Sequence, residues 1–312
     1  MFTSRVVIGS FLAWLMILSP ASEAGFESLL VTNEETGQVL RFDANTGAPL
    51  GVFAQDNGAV GGLAFGPDGN LYVSNLVQQT IEKFNGATGS LLGTFISKSG
   101  GLLFPHDLTF GPDGNLYVAS GETNSVREYS GSDGAFLRDF ASGHGLLRPT
   151  GVVFQGGNLF VSSSQNNQIL EFNGTTGAFT ATFASGHGLN APAGLAFDGS
   201  GNLYISNFLA DNVLKFDSAG NYLGIFGSGN GLLRPGGVAF GPGGNLFATS
   251  YGNGTILEFN GSTGGIVQTF AAGGGLTDPT HLLFTTTIPE PSGFVLLGLG
   301  MLGLLVFKRR MV

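Results

Sequence analysis

The chain of 312 residues predicts an all-β fold, a six-bladed β-propeller with four-stranded blades, on three observations. The phrase Gly-Leu-Ala-Phe-Gly-Pro-Asp-Gly-Asn-Leu-Tyr-Val-Ser-Asn at 62–75 recurs four more times in recognisable form, at 107–120, 151–163, 194–207 and 237–250. Its first Phe falls at Phe65, Phe110, Phe154, Phe197, Phe240 and Phe284, steps of 45, 44, 43, 43 and 44, the period of a blade repeat. A second series, Phe53, Phe95, Phe140, Phe183, Phe226 and Phe270, keeps the same period.

Taken in order, the chain opens with Arg5, an apolar stretch from Val6 to Leu18, Pro20 and Ser22-Glu23-Ala24. That is the three-part pattern of a secretory signal cleaved after Ala24, so residues 1–24 read as a signal peptide. The propeller is expected over 25–287. Its first unit starts directly at a second-type strand, Leu29 to Asn33, whereas its last, Asp278 to Thr286, holds only a first-type strand. The two ends complete one blade, and Leu283 is expected to pair beside Val31, which closes the ring and leaves no open edge.

The unit between them reads as four strands. Gly62 to Phe65 is the first; Gly66-Pro67-Asp68-Gly69 supplies turn residues, and Asn70 to Ser74 returns. Gln79 to Phe84 forms the third, and after Asn85 to Gly89 the fourth runs from Leu91 to Phe95. The third strand repeats a β-branched residue three places before an aromatic, at Val39, Ile81, Val126, Ile169, Val213 and Ile256, where a pleated surface favours it. With 54 Gly and 28 Phe, the composition suits short aromatic strands joined by tight turns. There is no cysteine, so stability must come from packing.

Residues 288–312 are different in kind. Pro289, Glu290 and Pro291 precede an apolar run at 293–307, and Lys308, Arg309 and Arg310 follow it. The run is shorter than the roughly 20 residues of a full span, but the flanking cations help anchor it and place the C-terminus on the cytoplasmic side. A transmembrane helix is expected there. These residues closely resemble the PEP-CTERM sorting signal. The resemblance implies an exported protein, held in the membrane by its tail until an exosortase removes it, and therefore located at the cell surface or outside the cell.

Gly-Asn-Leu-Tyr-Val-Ser-Asn and Asn-x-Ile-Leu-x-Phe, inside a unit of this length, look like NHL repeats. That resemblance implies a propeller whose relatives include streptogramin lyases, peptidylglycine lyases and gluconolactonase-type hydrolases, which hold a metal with His, Asp or Glu around the channel mouth. Here the second strands end in Asn33, Asn75, Ser120, Ser163, Asn207 and Ser250, neutral groups that give a cation little attraction. No metal and no cofactor is expected at that ring.

The weak catalytic candidates are His106, Asp107 and His281. Asp107 and His281 stand where other units have Gly62, Gly151, Gly194 and Gly237, and two His with one Asp could bind a metal or share a proton if they converge. The plainer reading makes them channel-lining groups without chemistry. His144 and His187 lie in a repeated Ala-Ser-Gly-His-Gly-Leu phrase whose later copies carry Asn230 and Gly274, and they read as loop contacts. A binding rim is expected from Leu76, Val77, Phe208, Leu209 and Tyr251, apolar interruptions of polar loops on the same face.

Outside the two targeting segments, 8 Lys plus Arg (the chain's 12 less Arg5, Lys308, Arg309 and Arg310) face 19 Asp plus Glu (its 21 less Glu23 and Glu290). That balance of about −11 repels phosphate backbones and argues against nucleic acid. The reading preferred is a noncatalytic surface propeller that binds an extracellular protein or polysaccharide. A metal-dependent lyase or lactone hydrolase is the alternative.

Overall fold

Two antiparallel strands joined at each Gly-Pro-Asp-Gly or equivalent turn begin every repeat, and two more complete it. The computed structural model describes residues 26–286; the predicted signal peptide, sorting residues and transmembrane helix lie outside them. Among the described residues no helix is long and apolar enough to cross a membrane.

The strands form six four-stranded sheets. The innermost strands are Pro279–Thr285 in blade 1, Val60–Phe65 in blade 2, Pro105–Phe110 in blade 3, Pro149–Gln155 in blade 4, Pro192–Phe197 in blade 5 and Pro235–Phe240 in blade 6. Proline opens five of the six, the strand position that tolerates a missing N–H. Each inner strand touches the next, blade 6 against blade 1 included, so the ring is closed.

Closure runs as the repeat arithmetic predicts. Ser28–Asn33, the second strand of blade 1, pairs antiparallel with Pro279–Thr285, with Val31 opposite Leu282, Leu30 opposite Leu283 and Leu29 opposite Phe284. Its other edge pairs with Gln38–Asp43, followed outward by Pro49–Gln55. N- and C-terminal chain ends therefore share one sheet, and Phe26 packs on Phe284 with ring centroids 5.3 Å apart.

The two Phe series meet at a third ring. Tyr117, on the second strand of blade 3, stands edge-on between Phe140 of its own blade at 4.8 Å and Phe154 of blade 4 at 4.9 Å. Tyr72, Phe160, Tyr204 and Phe247 do the same between successive blades, Phe247 joining Phe270 to Phe284 across the closure. In blade 1 the place is taken by Leu30, packed with Phe53 and Phe65. Edge-to-face pairs of this kind add about 0.5–1.5 kcal/mol each beyond burial, so the period of the sequence is the period of the interblade contact. The turn acids belong to the same device: Tyr72, Tyr117 and Tyr204 donate their hydroxyls to Asp68, Asp113 and Asp198.

The inner strands begin earlier than the sequence pattern suggests, at Val60 rather than Gly62 in blade 2 and at Pro105 rather than His106 in blade 3, because each carries a bulge. Register shifts between Val60 and Leu63 and between Pro105 and Leu108, and at the matching points of the other blades. The two bulged residues face the channel, and there adjacent strands approach closely. A Cβ on Gly151 would lie 2.1 Å from the Ala193 carbonyl, and one on Gly62 would lie 2.7 Å from Asp107 Cα. Glycine at these places permits the approach.

Candidate functional site

A ring of hydroxyls satisfies the bulges. Ser74 Oγ accepts from Gly62 N at 2.9 Å and donates to the His106 carbonyl of the next blade at 2.6 Å. Ser206 links Gly194 N to the Gly236 carbonyl in the same manner, and Thr249 Oγ1 accepts from Gly237 N and donates to the Thr280 carbonyl. Ser162 donates to the Ala193 carbonyl at 2.7 Å, and Thr32 accepts from His281 N at 3.0 Å. Only blade 3 lacks the hydroxyl, having Ala119 at that position.

Asp107 stands in that blade. Its Oδ1 accepts from Leu108 N at 2.8 Å and its Oδ2 from Val152 N of blade 4 at 3.1 Å. The carboxylate thus makes the interblade link that a serine makes elsewhere. Burial raises its pKa, while His281 and the two backbone N–H groups oppose the rise.

Of the three catalytic candidates the structure brings two together. His281 Nε2 lies 3.6 Å from Asp107 Oδ1, both side chains about one-sixth exposed, a separation too long for a hydrogen bond. They meet across blade 2, where Gly62 offers no side chain. The meeting point is a constriction: His106 and His281 line the cavity above it, whereas Asp107 lines a second cavity of about 600 Å³ below. Burial, with Arg148 and His281 adding repulsion, lowers His106 to about 3, so its imidazole is neutral. Among the described residues no group of three or more His, Asp or Glu side chains is placed to hold a metal ion.

The upper cavity, about 670 Å³, is the channel mouth. Four of the five predicted rim residues reach it, but not as one exposed patch. Phe208 and Tyr251 face each other with centroids 5.9 Å apart, and Leu209 is 56 % exposed beside them. Leu76 corrects the expectation of exposure: it is buried at 3 %, turned inward next to the bulge at Gly61. Val77 is 68 % exposed and stays outside the cavity. His144 and His187 stack on Phe179 at 4.3 Å and Tyr222 at 4.7 Å, away from the mouth.

The residue before an inner-strand proline is a further feature of the mouth, one that the repeat pattern alone does not single out. Phe104, Arg148, Ala191 and Arg234 all line the mouth and all hold positive φ, 55°, 49°, 52° and 50°. Three of the four amides are held from the preceding blade: Asn124 accepts from Arg148 N, Asn167 from Ala191 N and Asp211 from Arg234 N, each at 2.8 Å. A left-handed backbone costs a non-glycine residue roughly 1 kcal/mol or more, and such strain gathers at ligand-facing positions. The signal was in the sequence, since Phe104, Arg148, Ala191, Arg234 and Asp278 each precede a repeated Pro. Glu34 shares the mouth; burial first, then Asp278 and Glu35, pushes its carboxyl up to about 7.

The lower cavity is lined by Leu283, Phe284, Thr285 and Thr286. The chain therefore passes into its C-terminal segment on the face opposite the mouth.

Comparison with known proteins adds to this in two places. Residues 287–310 match the PEP-CTERM protein-sorting motif. No curated protein matches the chain. Among solved structures, a chain of a nidogen/laminin complex is similar over 82 % of this chain and 97 % of its own, with 20 % identity and a TM-score of 0.68. A streptogramin B lyase is similar over 84 % of this chain and 87 % of its own, with 16 % identity and a TM-score of 0.62. Likeness at these identities shows the fold alone. The protein is a six-bladed β-propeller joined to a PEP-CTERM sorting motif, which marks it as exported and sorted through its C-terminus.

Proposed function

We propose that this protein is a noncatalytic recognition module displayed at the cell surface, which binds an extracellular partner or matrix component at its channel mouth. The observation that carries the reading is the placement of the mouth. Phe208, Leu209, Tyr251 and the strained pre-proline residues gather there, and the segment leading into the sorting motif leaves from the other face. A propeller tethered through 288–312 would hold that mouth away from the membrane. In this reading residues 1–24 are removed on export, and 293–307 spans the membrane until an exosortase-type enzyme acts at Pro289-Glu290-Pro291. A propeller neighbour from a nidogen/laminin complex is consistent with a matrix role.

The test is retention. The tagged full chain is expressed in an exporting host, and cell-surface and matrix fractions are assayed with and without Phe208→Ala/Tyr251→Ala. The reading expects normal export with at least tenfold less matrix-bound protein. Unchanged retention refutes it.

A second reading, a lyase or lactone hydrolase, is favoured by one observation, the approach of His281 to Asp107 in the channel. It requires stoichiometric divalent metal in the purified domain that is lost on His281→Ala. Metal content that is negligible, or unaltered by the substitution, removes that reading.

A further inference from the structure

The mouth gathers two of the four cations that form no ion pair among the described residues, the other two, Arg41 and Lys98, lying elsewhere. Of the eight cations in the described residues, Lys83, Arg127, Arg138 and Lys215 are tied to Asp68, Asp139, Glu128 and Asp198 at 2.8, 2.9, 2.6 and 3.9 Å. Arg148 and Arg234 form no ion pair among the described residues, although the domain is strongly acidic, and both line the mouth. Both are fixed by strained backbone whose amide is anchored from the blade before. Arg148 is further oriented by the Phe104 ring, 5.1 Å below its guanidinium. A guanidinium held ready and unpaired is suited to bidentate binding of a planar anion such as a carboxylate.

Apart from Glu34, whose carboxyl burial pushes up to about 7, the remaining walls are neutral and hydrogen-bonding. The side-chain amides of Gln165 and Asn190 line the cavity and make no hydrogen bond among the described residues. On the floor, His106 Nε2 and both ring nitrogens of His281 are buried and unpartnered. With His106 held neutral, its imidazole offers one donor and one acceptor, as the amides also do, which complements hydroxyl groups. Tyr251 and Phe208 supply apolar faces. The charge of about −11 outside the two targeting segments opposes a dense polyanion, so the arginines suit an isolated acid among neutral groups.

We infer that the mouth binds a carboxylate-bearing sugar residue, a uronic acid set among neutral sugars of a polysaccharide, with Arg148 and Arg234 on the carboxylate and Gln165, Asn190, His106 and His281 toward the ring hydroxyls. This rests on the mouth being the recognition surface, and names its ligand class. The mixture favours a sugar over an acidic peptide because unpartnered neutral donor-acceptor groups outnumber the free cations.

Calorimetry on the exported protein at physiological salt tests it, with aldotriouronic acid (one glucuronate on two xyloses) as probe, xylotriose as the neutral control and an N-acetylated, C-amidated Ala-Glu-Ala peptide as the peptide control. Saturable binding of the acidic trisaccharide is expected, with neither control bound within tenfold of it. Arg148→Met and Arg234→Met should each weaken it at least tenfold at an unchanged unfolding temperature, and Arg148→Lys, which keeps the charge and loses the fork, should fall between. Equal binding of xylotriose, tighter binding of the peptide, no binding of the probe, or full affinity in both Met variants overturns the inference. If matrix retention still depends on Phe208 and Tyr251 while the acidic sugar does not bind, the ligand class is wrong and the recognition surface stands.

Discussion

Asp107 accepts two backbone N–H groups at a place where other blades use a hydroxyl, so its carboxylate is needed for ring integrity. Asp107→Ala leaves both amides without that partner and should lower stability by roughly 1–3 kcal/mol in denaturant unfolding. The pair Asp107→Gly with Ala119→Ser restores the pattern of blades 2 and 5, and should recover at least half of that loss. A double variant no better than Asp107→Ala would show that the carboxylate does something else. Glu34 adds a dependence on pH. Its folded-state value of about 7 lies above the ordinary 4.5, so folding favours the neutral acid. That stability is fully present below pH 4.5 and disappears as pH rises through 7. Glu34→Gln should therefore match the parent at pH 4 and exceed it at pH 8, by roughly 1–3 kcal/mol, in urea titrations at both pH values. The sequence made Asp107 visible as a departure from Gly but not as a substitute for Ser, because that needs the neighbour Ala119 seen across the sheet. Arg148 and Arg234 escaped notice because an X-Pro step reads as an extended linker, whereas here it is a left-handed corner that aims the side chain into the mouth.

At the level of strands, the spacing of Phe65 and Phe53 in each repeat determined the blade and its third ring, and those contacts recur almost unchanged around the molecule. Periodicity made these legible. The bulges were not, since an inserted residue alters register without altering the apolar pattern, and they decide which residues face the channel. Gly62 is the sharpest case. A methyl there would press on Asp107 Cα at 2.7 Å and on the His106 carbonyl at 3.0 Å, both backbone. Gly62→Ala should cost roughly 1–3 kcal/mol from the backbone clash, read as a lowered denaturation midpoint, whereas Gly69→Ala, with nothing within 4 Å but a φ of 74°, meets no clash and carries only the strain of a left-handed backbone, roughly 1 kcal/mol. Equal midpoints for Gly62→Ala and the parent would mean that the inner strands can separate.

On the scale of the whole molecule, the first and last strands of the described residues lie in one sheet, whose outgoing end is on the face opposite the mouth. In the proposed reading, a tether through the sorting motif would then hold the mouth away from the membrane. Closure was legible from the missing first strand at one end and the solitary strand at the other; the separation of the channel into an upper cavity with His281 and a lower one with Asp107 was not, because it depends on which side of a constriction each bulged residue turns. The account's central claim is that recognition takes place at the mouth. Hydrogen–deuterium exchange of the exported protein, alone and bound to isolated cell-surface matrix, measures this directly. Slowed exchange is predicted at residues 103–106, 147–150, 190–193, 208–210 and 233–236, with the outer strands unchanged. Protection confined to outer strands such as Leu91–Ile96 or Tyr222–Ser228, with the mouth exchanging as in the free protein, would contradict it.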